Sequence, residues 1–253
     1  MVEDANISSY DTGNAYSAMV LTDGSLWTFG RNHHGQLGDG TNTDRLTPVK
    51  IIDENVTKVA IGESHTVFLK NNGSVWGMGY NKDYRLGDLN DTNKLIPQLI
   101  MDANVSDIAC SNHGTFIFKT DGSLWAIGHN AHYRMGHNAG GNHAIPQMVF
   151  ASGVQAVSGG HEHNLFLKTD GSLWSAGWNK LGRVGAGANN ESVQLTKIVD
   201  SGVAGISAGR EHSIYWTTNG DVYVFGSNGS GQLGLPGRTL SAHEKQVLYD
   251  PNQ

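Results

Sequence analysis

This sequence predicts an all-β fold, a closed five-bladed β-propeller with four strands per blade, on three observations. The motif Asp23-Gly24-Ser25-Leu26-Trp27 returns four times, with its glycine at Gly73, Gly122, Gly171 and Gly220, each 49 residues after the last. Every copy carries short β-branched and aromatic runs bounded by glycines, and no stretch sustains a 3.6-residue apolar period, so a helical array is rejected. A period of this length marks one supersecondary unit copied and stacked, and four short strands in meander order make a propeller blade.

The second copy shows the elements in order. Strand a is predicted over residues 48–52, ending at the turn Asp53-Glu54-Asn55. Strand b follows over 56–61 and stops at Gly62-Glu63-Ser64; strand c spans 65–70 and meets the Asn72-Gly73 turn, whose two residues both tolerate positive φ. Strand d covers 75–79, and a long loop, 80–96, leads to Pro97. Matching columns run through all copies: Ile51, Ile100, Val149, Ile198 and Val247 in strand a; Tyr10, Val59, Ile108, Val157 and Ile206 in strand b; Trp27, Trp76, Trp125, Trp174 and Tyr223 in strand d. Large rings in one register are expected to fill the wedge between blades. Gly30, Asn32 and Gly38 have the same residue in every copy, which points to loop construction through positive φ and Asn side-chain turns.

Residues 7–21 match 56–70, so the chain starts at strand b, while 244–248 match strand a. The closing blade is therefore expected to take strand a from the C-terminus and strands b–d from the N-terminus, a latch that removes two exposed edges. One domain, 7–251, with tails 1–6 and 252–253, is the expected organisation.

Composition narrows the function. A net charge of -6 argues against nucleic-acid binding, which needs a basic stripe. The one cysteine, Cys110, excludes an internal disulfide framework and is expected to be a buried, inert thiol. No apolar run is long enough to span a bilayer, and Met1-Val2-Glu3-Asp4 does not read as a signal peptide. Asn-x-Ser/Thr triplets begin at Asn6, Asn55, Asn72, Asn90, Asn104, Asn190 and Asn228. Asn-rich, cysteine-poor turns suggest a bacterial, extracellular or cell-surface setting.

Gly62-x-x-His65-Thr66 followed by Gly73-x-Val75-x-x-x-Gly79-x-Asn81 resembles the regulator-of-chromosome-condensation repeat family. Its loop signature is most complete from Trp27 through Gly30, Asn32 and Gly35-Gln36-Leu37-Gly38 to Asp39-Gly40-Thr41, and returns at Gly226, Asn228 and Gly231-Gln232-Leu233-Gly234. The resemblance implies a propeller across essentially the whole chain. It leaves function open among exchange factors, enzyme inhibitors, adhesion modules and scaffolds. The best-known members look seven-bladed, whereas this chain has five copies. Its unvarying 49-residue spacing also leaves no room for the inserted wedge that nucleotide exchange would suggest.

Alternating strand directions place the b–c turns and d–a loops at one end, where the variable chemistry lies, so that face is expected to bind. Arg85, Arg134 and Arg183 replace Gln36 and Gln232 in the middle copies and either grip an acidic group or bond loop carbonyls as the Gln amide would. Tyr80, Tyr84, Tyr133 and Trp178 add aromatic surface suited to a protein interface or to sugar rings, or else lie flat on neighbouring loops. The b–c column supplies His65, His163 and His212, with His161 beside it. Around an axis these could hold a divalent metal, while the resemblance implies a structural histidine at that position. His129, His132, His137 and His143 match no tight metal motif, and residues 88–93 only faintly resemble a calcium loop. No nucleophile elbow, Walker loop or reactive-cysteine setting occurs.

The expected function is a non-catalytic binding propeller without cofactor. It would recognise a protein or glycan through Tyr80, Tyr84, Arg85, Tyr133, Arg134, Trp178 and Arg183. It is expected to be monomeric, with no nucleic-acid partner and no membrane insertion. The alternative is a metal-dependent hydrolase or lyase built on His65, His163 and His212, with His161 as a further metal ligand.

Overall fold

A computed structural model describes residues 6–137, 140–187 and 191–235, and the backbone of 242–249. Within these residues the chain forms five four-stranded antiparallel sheets. The first sheet is β1 (Ile7–Thr12), β2 (Tyr16–Leu21), β3 (Leu26–Gly30) and β4 (Arg45–Ile52). The second is β5 (Val56–Ile61), β6 (His65–Lys70), β7 (Val75–Gly79) and β8 (Lys94–Met101). Next come β9 (Val105–Ser111), β10 (Gly114–Lys119), β11 (Leu124–Gly128) and β12 (His143–Phe150). The fourth holds β13 (Val154–Gly159), β14 (His163–Lys168), β15 (Leu173–Trp178) and β16 (Ser192–Val199). The last holds β17 (Val203–Ala208), β18 (His212–Thr217), β19 (Val222–Gly226) and β20 (Ala242–Tyr249).

Strands b, c and d of the second copy fall where the sequence places them, but strand a belongs to the other end of the meander. β4 pairs with β3, with Leu26 opposite Ile52 and Trp27 opposite Lys50, so each long loop folds strand a back onto the strand d just left. The predicted exchange between termini is corrected for the same reason. The first sheet is complete as β1–β4, and β20 completes the last one beside β19, with Tyr223 opposite Val247. A strand returning antiparallel to its immediate predecessor closes each sheet from contiguous chain. The side chain of Val247, residues 1–5 and 252–253, and Asn190 lie outside the described residues.

The chain divides into two compact units, Met1–His129 with Asn142–Gln147, and Asn130–Gly141 with Met148–Gln253. In the first unit, Tyr16, Ala18, Val20, Leu26, Val56, Val59, Phe68 and Met78 form the core between the first two sheets. Val67, Leu69, Val75, Val105, Ile108, Ile117 and Ile127 do the same between the second and third. In the second unit, Leu165, Leu167, Leu173, Val203, Tyr215 and Phe225 pack between the last two sheets. Polar ties register the sheets: Tyr16 Oη donates to the carbonyl of His65 at 2.8 Å, Ile61 N–H to Asp11 Oδ2 at 2.8 Å, and Ala208 N–H to Ser158 Oγ at 2.9 Å.

The organising motif is a hydrogen-bond relay. Asp23 Oδ1 accepts from the backbone N–H (2.8 Å) and the hydroxyl (2.6 Å) of Ser25, whose Oγ accepts the Trp27 indole N–H at 2.9 Å. The relay recurs through Asn72, Ser74 and Trp76, through Asp121, Ser123 and Trp125, and through Asp170, Ser172 and Trp174. The tryptophans are half-buried and lie beneath lysines, Lys50 over Trp27 at 5.3 Å and Lys119 over Trp125 at 4.2 Å. They border the wedges rather than fill them. Among the described residues the fully buried phenylalanine rings are Phe68, Phe116, Phe166 and Phe225. Tyr10 departs from its column in another way, being exposed where Val59 is buried. Cys110 is a half-buried free thiol whose pKa is pushed up by burial, which suits an unreactive side chain.

Candidate binding face

The b–c turns and d–a loops do share an end. In every copy the first loop N–H donates to a b–c turn carbonyl: Arg31 to Ala15, Tyr80 to Ser64, His129 to His113, Trp178 to Glu162 and Ser227 to Glu211, at 2.8 to 3.1 Å. Each loop is then stapled by its asparagine. The buried Oδ1 of Asn32 accepts Leu37 N–H at 3.0 Å, and Asn81, Asn130, Asn179 and Asn228 do the same for Leu86, Met135, Val184 and Leu233. Close approach explains one of the glycines. Gly79 has φ +103°, and a Cβ there would stand 2.6 Å from the Ser64 carbonyl oxygen.

All three register arginines are buried. In the first unit Arg85 donates to the Asn112 carbonyl at 2.9 Å, lies 3.0 Å from His113 Nδ1, and holds its guanidinium 4.6 Å from the centre of the Tyr80 ring. In the second, Arg134 donates to the Ala131 carbonyl at 3.0 Å and pairs with Glu162, which also meets His161 at 3.2 Å. Arg183 donates to the Lys180 carbonyl at 2.9 Å, stacks 4.9 Å from the Trp178 ring and faces Glu211 at 3.8 Å. Each guanidinium spans from its own loop to the b–c turn of the next repeat.

Aromatic groups interlock in the same direction. His34 meets Tyr80 edge-on at 4.8 Å, and His132 stacks on Trp178 at 5.6 Å while its Nδ1 reaches Ser192 Oγ at 2.6 Å. Of the other histidines, His129 lies edge-on to His113 at 5.8 Å and His137 is buried beside Asn130. Within 88–93, Asp88 Oδ1 accepts from Asn90 N–H at 2.9 Å and the carboxylate pairs with Lys94, as a polar turn does.

The histidine column is tied into the repeats. Thr115 Oγ1 donates to the Arg85 carbonyl at 2.8 Å, so toward His65 Nε2, 3.3 Å away, it accepts, and the ring proton sits on Nε2. Ser213 Oγ likewise donates to Arg183 at 2.9 Å and accepts from His163 Nε2 at 2.8 Å. Burial, reinforced by nearby Arg85 and Arg183 respectively, holds the pKa values of His65 and His163 down to about 3. That leaves Nδ1 as the remaining ligand atom of each, packed against Gly62 and Gly160, where an added Cβ would stand 2.5 and 2.6 Å away. His212 is half-buried, and its pKa is lowered by burial.

Sequence reasoning grouped Tyr84 and Tyr133 with the aromatics but missed their backbone. Both hold left-handed conformations, φ 62° and 63°, and each follows another left-handed residue, Asp83 or His132. Aligning the copies was the available signal: the equivalent residues are Gly35, Gly182 and Gly231, all at positive φ. A non-glycine residue in this region costs about 1–2 kcal/mol, so two half-buried tyrosines are kept where glycine is the unstrained choice.

Meandering four-stranded antiparallel sheets repeated at a fixed period, each with its b–c turn tied to its d–a loop, define an all-β, propeller-like repeat fold. The model of the RCC1-like domain matches residues 1–251, and the chain belongs to the RCC1-like family. Yeast RCC1 (Prp20), solved with Kap60 bound, superposes with a TM-score of 0.87 at 20% identity, covering 99% of this chain and 62% of that one. Prp20p from Saccharomyces cerevisiae, in a study of its binding to Gsp1p and histones, gives 0.83 at 19% identity, covering 99% and 65%. Human WBSCR16 gives 0.82 at 20% identity, covering 98% and 68%. The chain thus spans under two thirds of the length of the yeast proteins. The bacterial, extracellular setting expected from the turns is corrected by these eukaryotic relatives.

Proposed function

We propose that this chain is a non-catalytic protein-binding module. Its recognition surface is the b–c and d–a loop face, with its five repeats forming blades of one propeller domain over 7–251. The observation that carries the reading is Tyr84 and Tyr133, aromatic side chains held at backbone positions where the other copies use glycine. Backbone strain retained in a loop is a mark of function, and tyrosine is enriched in binding hot spots. Tyr80 and Trp178 extend the aromatic surface. Arg85, Arg134 and Arg183 act beneath it as braces that fix the loops. The yeast relative solved with Kap60 adds support for a protein rather than a glycan as the ligand. We set the metal-dependent hydrolase aside because His65 and His163 commit Nε2 to Thr115 and Ser213.

The test is affinity capture with quantitative mass spectrometry, comparing wild type with the double variant Tyr84→Gly/Tyr133→Gly. Glycine suits the left-handed backbone, so the variant is expected to fold at least as well while losing the partner by tenfold or more, about 1.4 kcal/mol. Equal capture by both proteins would reject the reading, and a parallel glycan array separates a sugar ligand from a protein one.

A further inference from the structure

The fifth copy breaks a local pattern that the middle three keep. In copies two to four a lysine ends strand c with its ammonium over an aromatic ring: Lys70 over Trp76 at 5.1 Å, Lys119 over Trp125 at 4.2 Å and Lys168 over Phe150 at 5.3 Å. Copy one fills the position with the buried Leu21. Copy five has Thr217 there, 49 residues after Lys168. Two neighbours shrink with it. Trp174 becomes Tyr223, and Phe150, which meets Trp174 edge-on at 5.7 Å, becomes Val199.

The space those groups fill in copy four is open in copy five. A cavity of about 540 Å³ lies between the end of β16 and the c–d turn joining β18 to β19, with Val199, Gly202, Tyr215, Thr217, Asp221 and Tyr223 in its wall. All six belong to the second unit. Thr218 N–H donates to the Gly202 carbonyl at 2.9 Å and ties the two turns together. Thr217 lies two residues from Tyr215 and Asp221 two from Tyr223, so the four side chains share one side of the sheet. The Tyr215 and Tyr223 rings are stacked at 4.8 Å. Asp221 stands where the other copies have the serine of the tryptophan relay, and a tyrosine has no indole N–H to give it. The Thr217 hydroxyl is buried and has no hydrogen-bond partner among the described residues, a costly arrangement that a bound donor would relieve.

We propose that this cavity binds an alkylammonium group brought by a ligand, in the place that the chain's own lysine takes in copies two to four. An ammonium carries three donors and no acceptor. The wall offers it a carboxylate on Asp221, a hydroxyl oxygen on Thr217 and an aromatic ring on the half-exposed Tyr223. An anion would face the Asp221 charge, and an apolar ligand would leave both Asp221 and the Thr217 hydroxyl unmatched. The site stands at the c–d turn of the last sheet, apart from its b–c turn and d–a loop, so it is separate from the proposed recognition surface.

Ligand-observed NMR titration tests it with Nα-acetyl-lysine methylamide, its Nε-acetyl form and pentane-1,5-diamine. Wild type should bind the charged probes saturably and the neutral Nε-acetyl form at least tenfold more weakly. Thr217→Lys restores the residue of copies two to four and should fill the cavity from within, weakening the charged probes tenfold or more. Asp221→Ser, which restores the serine of the other copies, should do the same by removing the carboxylate. Circular dichroism checks the fold of both variants. Tighter binding of the lysine derivative assigns the site to a protein side chain, and tighter binding of the diamine to a free amine. Absence of saturable binding to wild type overturns the proposal. So does equal affinity for the Nε-acetyl form, or wild-type affinity in a folded Thr217→Lys or Asp221→Ser protein.

Discussion

His65 Nε2 stands 3.3 Å from Thr115 Oγ1, and this contact joins consecutive repeats through a neutral imidazole. His163 and Ser213 repeat it at 2.8 Å. Both rings have folded pKa values of about 3 against an ordinary 6.5, chiefly from burial. Between those values the unfolded chain binds protons that the folded chain refuses. Stability is therefore fully present above about pH 6.5 and falls as pH drops toward 3. Urea midpoints measured across that window should decline with acid, and His65→Gln/His163→Gln should flatten the slope. An unchanged slope in the double variant would rule these rings out as its source.

Gly79 permits the loop to leave strand d against the b–c turn. Alanine there meets both a φ of +103° and a Cβ 2.6 Å from a backbone oxygen, which cannot move as a side-chain end can. Gly79→Ala is expected to cost about 2–3 kcal/mol or more in chemical denaturation, from strain and backbone displacement together. A loss under about 0.5 kcal/mol, the size of an ordinary surface change, would show that the turn relaxes freely.

Ser172 is fully buried and bridges Asp170 to the Trp174 indole, donating at 2.6 Å and accepting at 3.1 Å. Ser172→Ala removes both bonds at once and leaves a half-buried indole N–H to find water. The expected cost is about 1–2 kcal/mol, measured by equilibrium unfolding, with Trp174 fluorescence shifting to the red. Ser172→Thr, which keeps the hydroxyl, should recover part of it.

The repeat made β5, β6 and β7 legible to the residue, because strand ends coincide with Gly62 and the Asn72-Gly73 turn. Strand a was misassigned to its neighbours since a repeat has no intrinsic first residue. Only hydrogen bonding, such as Leu26 opposite Ile52, fixes which strand d it joins. The Asp-Gly-Ser-x-Trp motif announced a ring at fixed spacing but not its relay, which needs Ser25 Oγ placed between two partners. At the face, residue type alone could not tell an exposed Arg85 from a buried brace. The strain at Tyr84 was readable only by setting it beside Gly35.

The last prediction follows from the arginines as braces. Copies one and five have glutamine at this register, and its amide oxygen accepts a loop N–H two residues earlier, Gln36 from His34 at 2.9 Å and Gln232 from Ser230 at 2.8 Å. Arg85 instead reaches the next repeat, through the Asn112 carbonyl at 2.9 Å and His113 at 3.0 Å. Arg85→Ala is expected to cost about 2–3 kcal/mol, because a charged donor to a part-buried carbonyl and a cation over the Tyr80 ring are lost together. Arg85→Gln should cost less, since it restores the loop bond of copy one while still breaking the tie between repeats. Thermal or urea unfolding of both variants gives the order. Were Arg85 mainly a ligand contact, alanine would leave stability within about 0.5 kcal/mol of wild type, and the loss would appear only in binding.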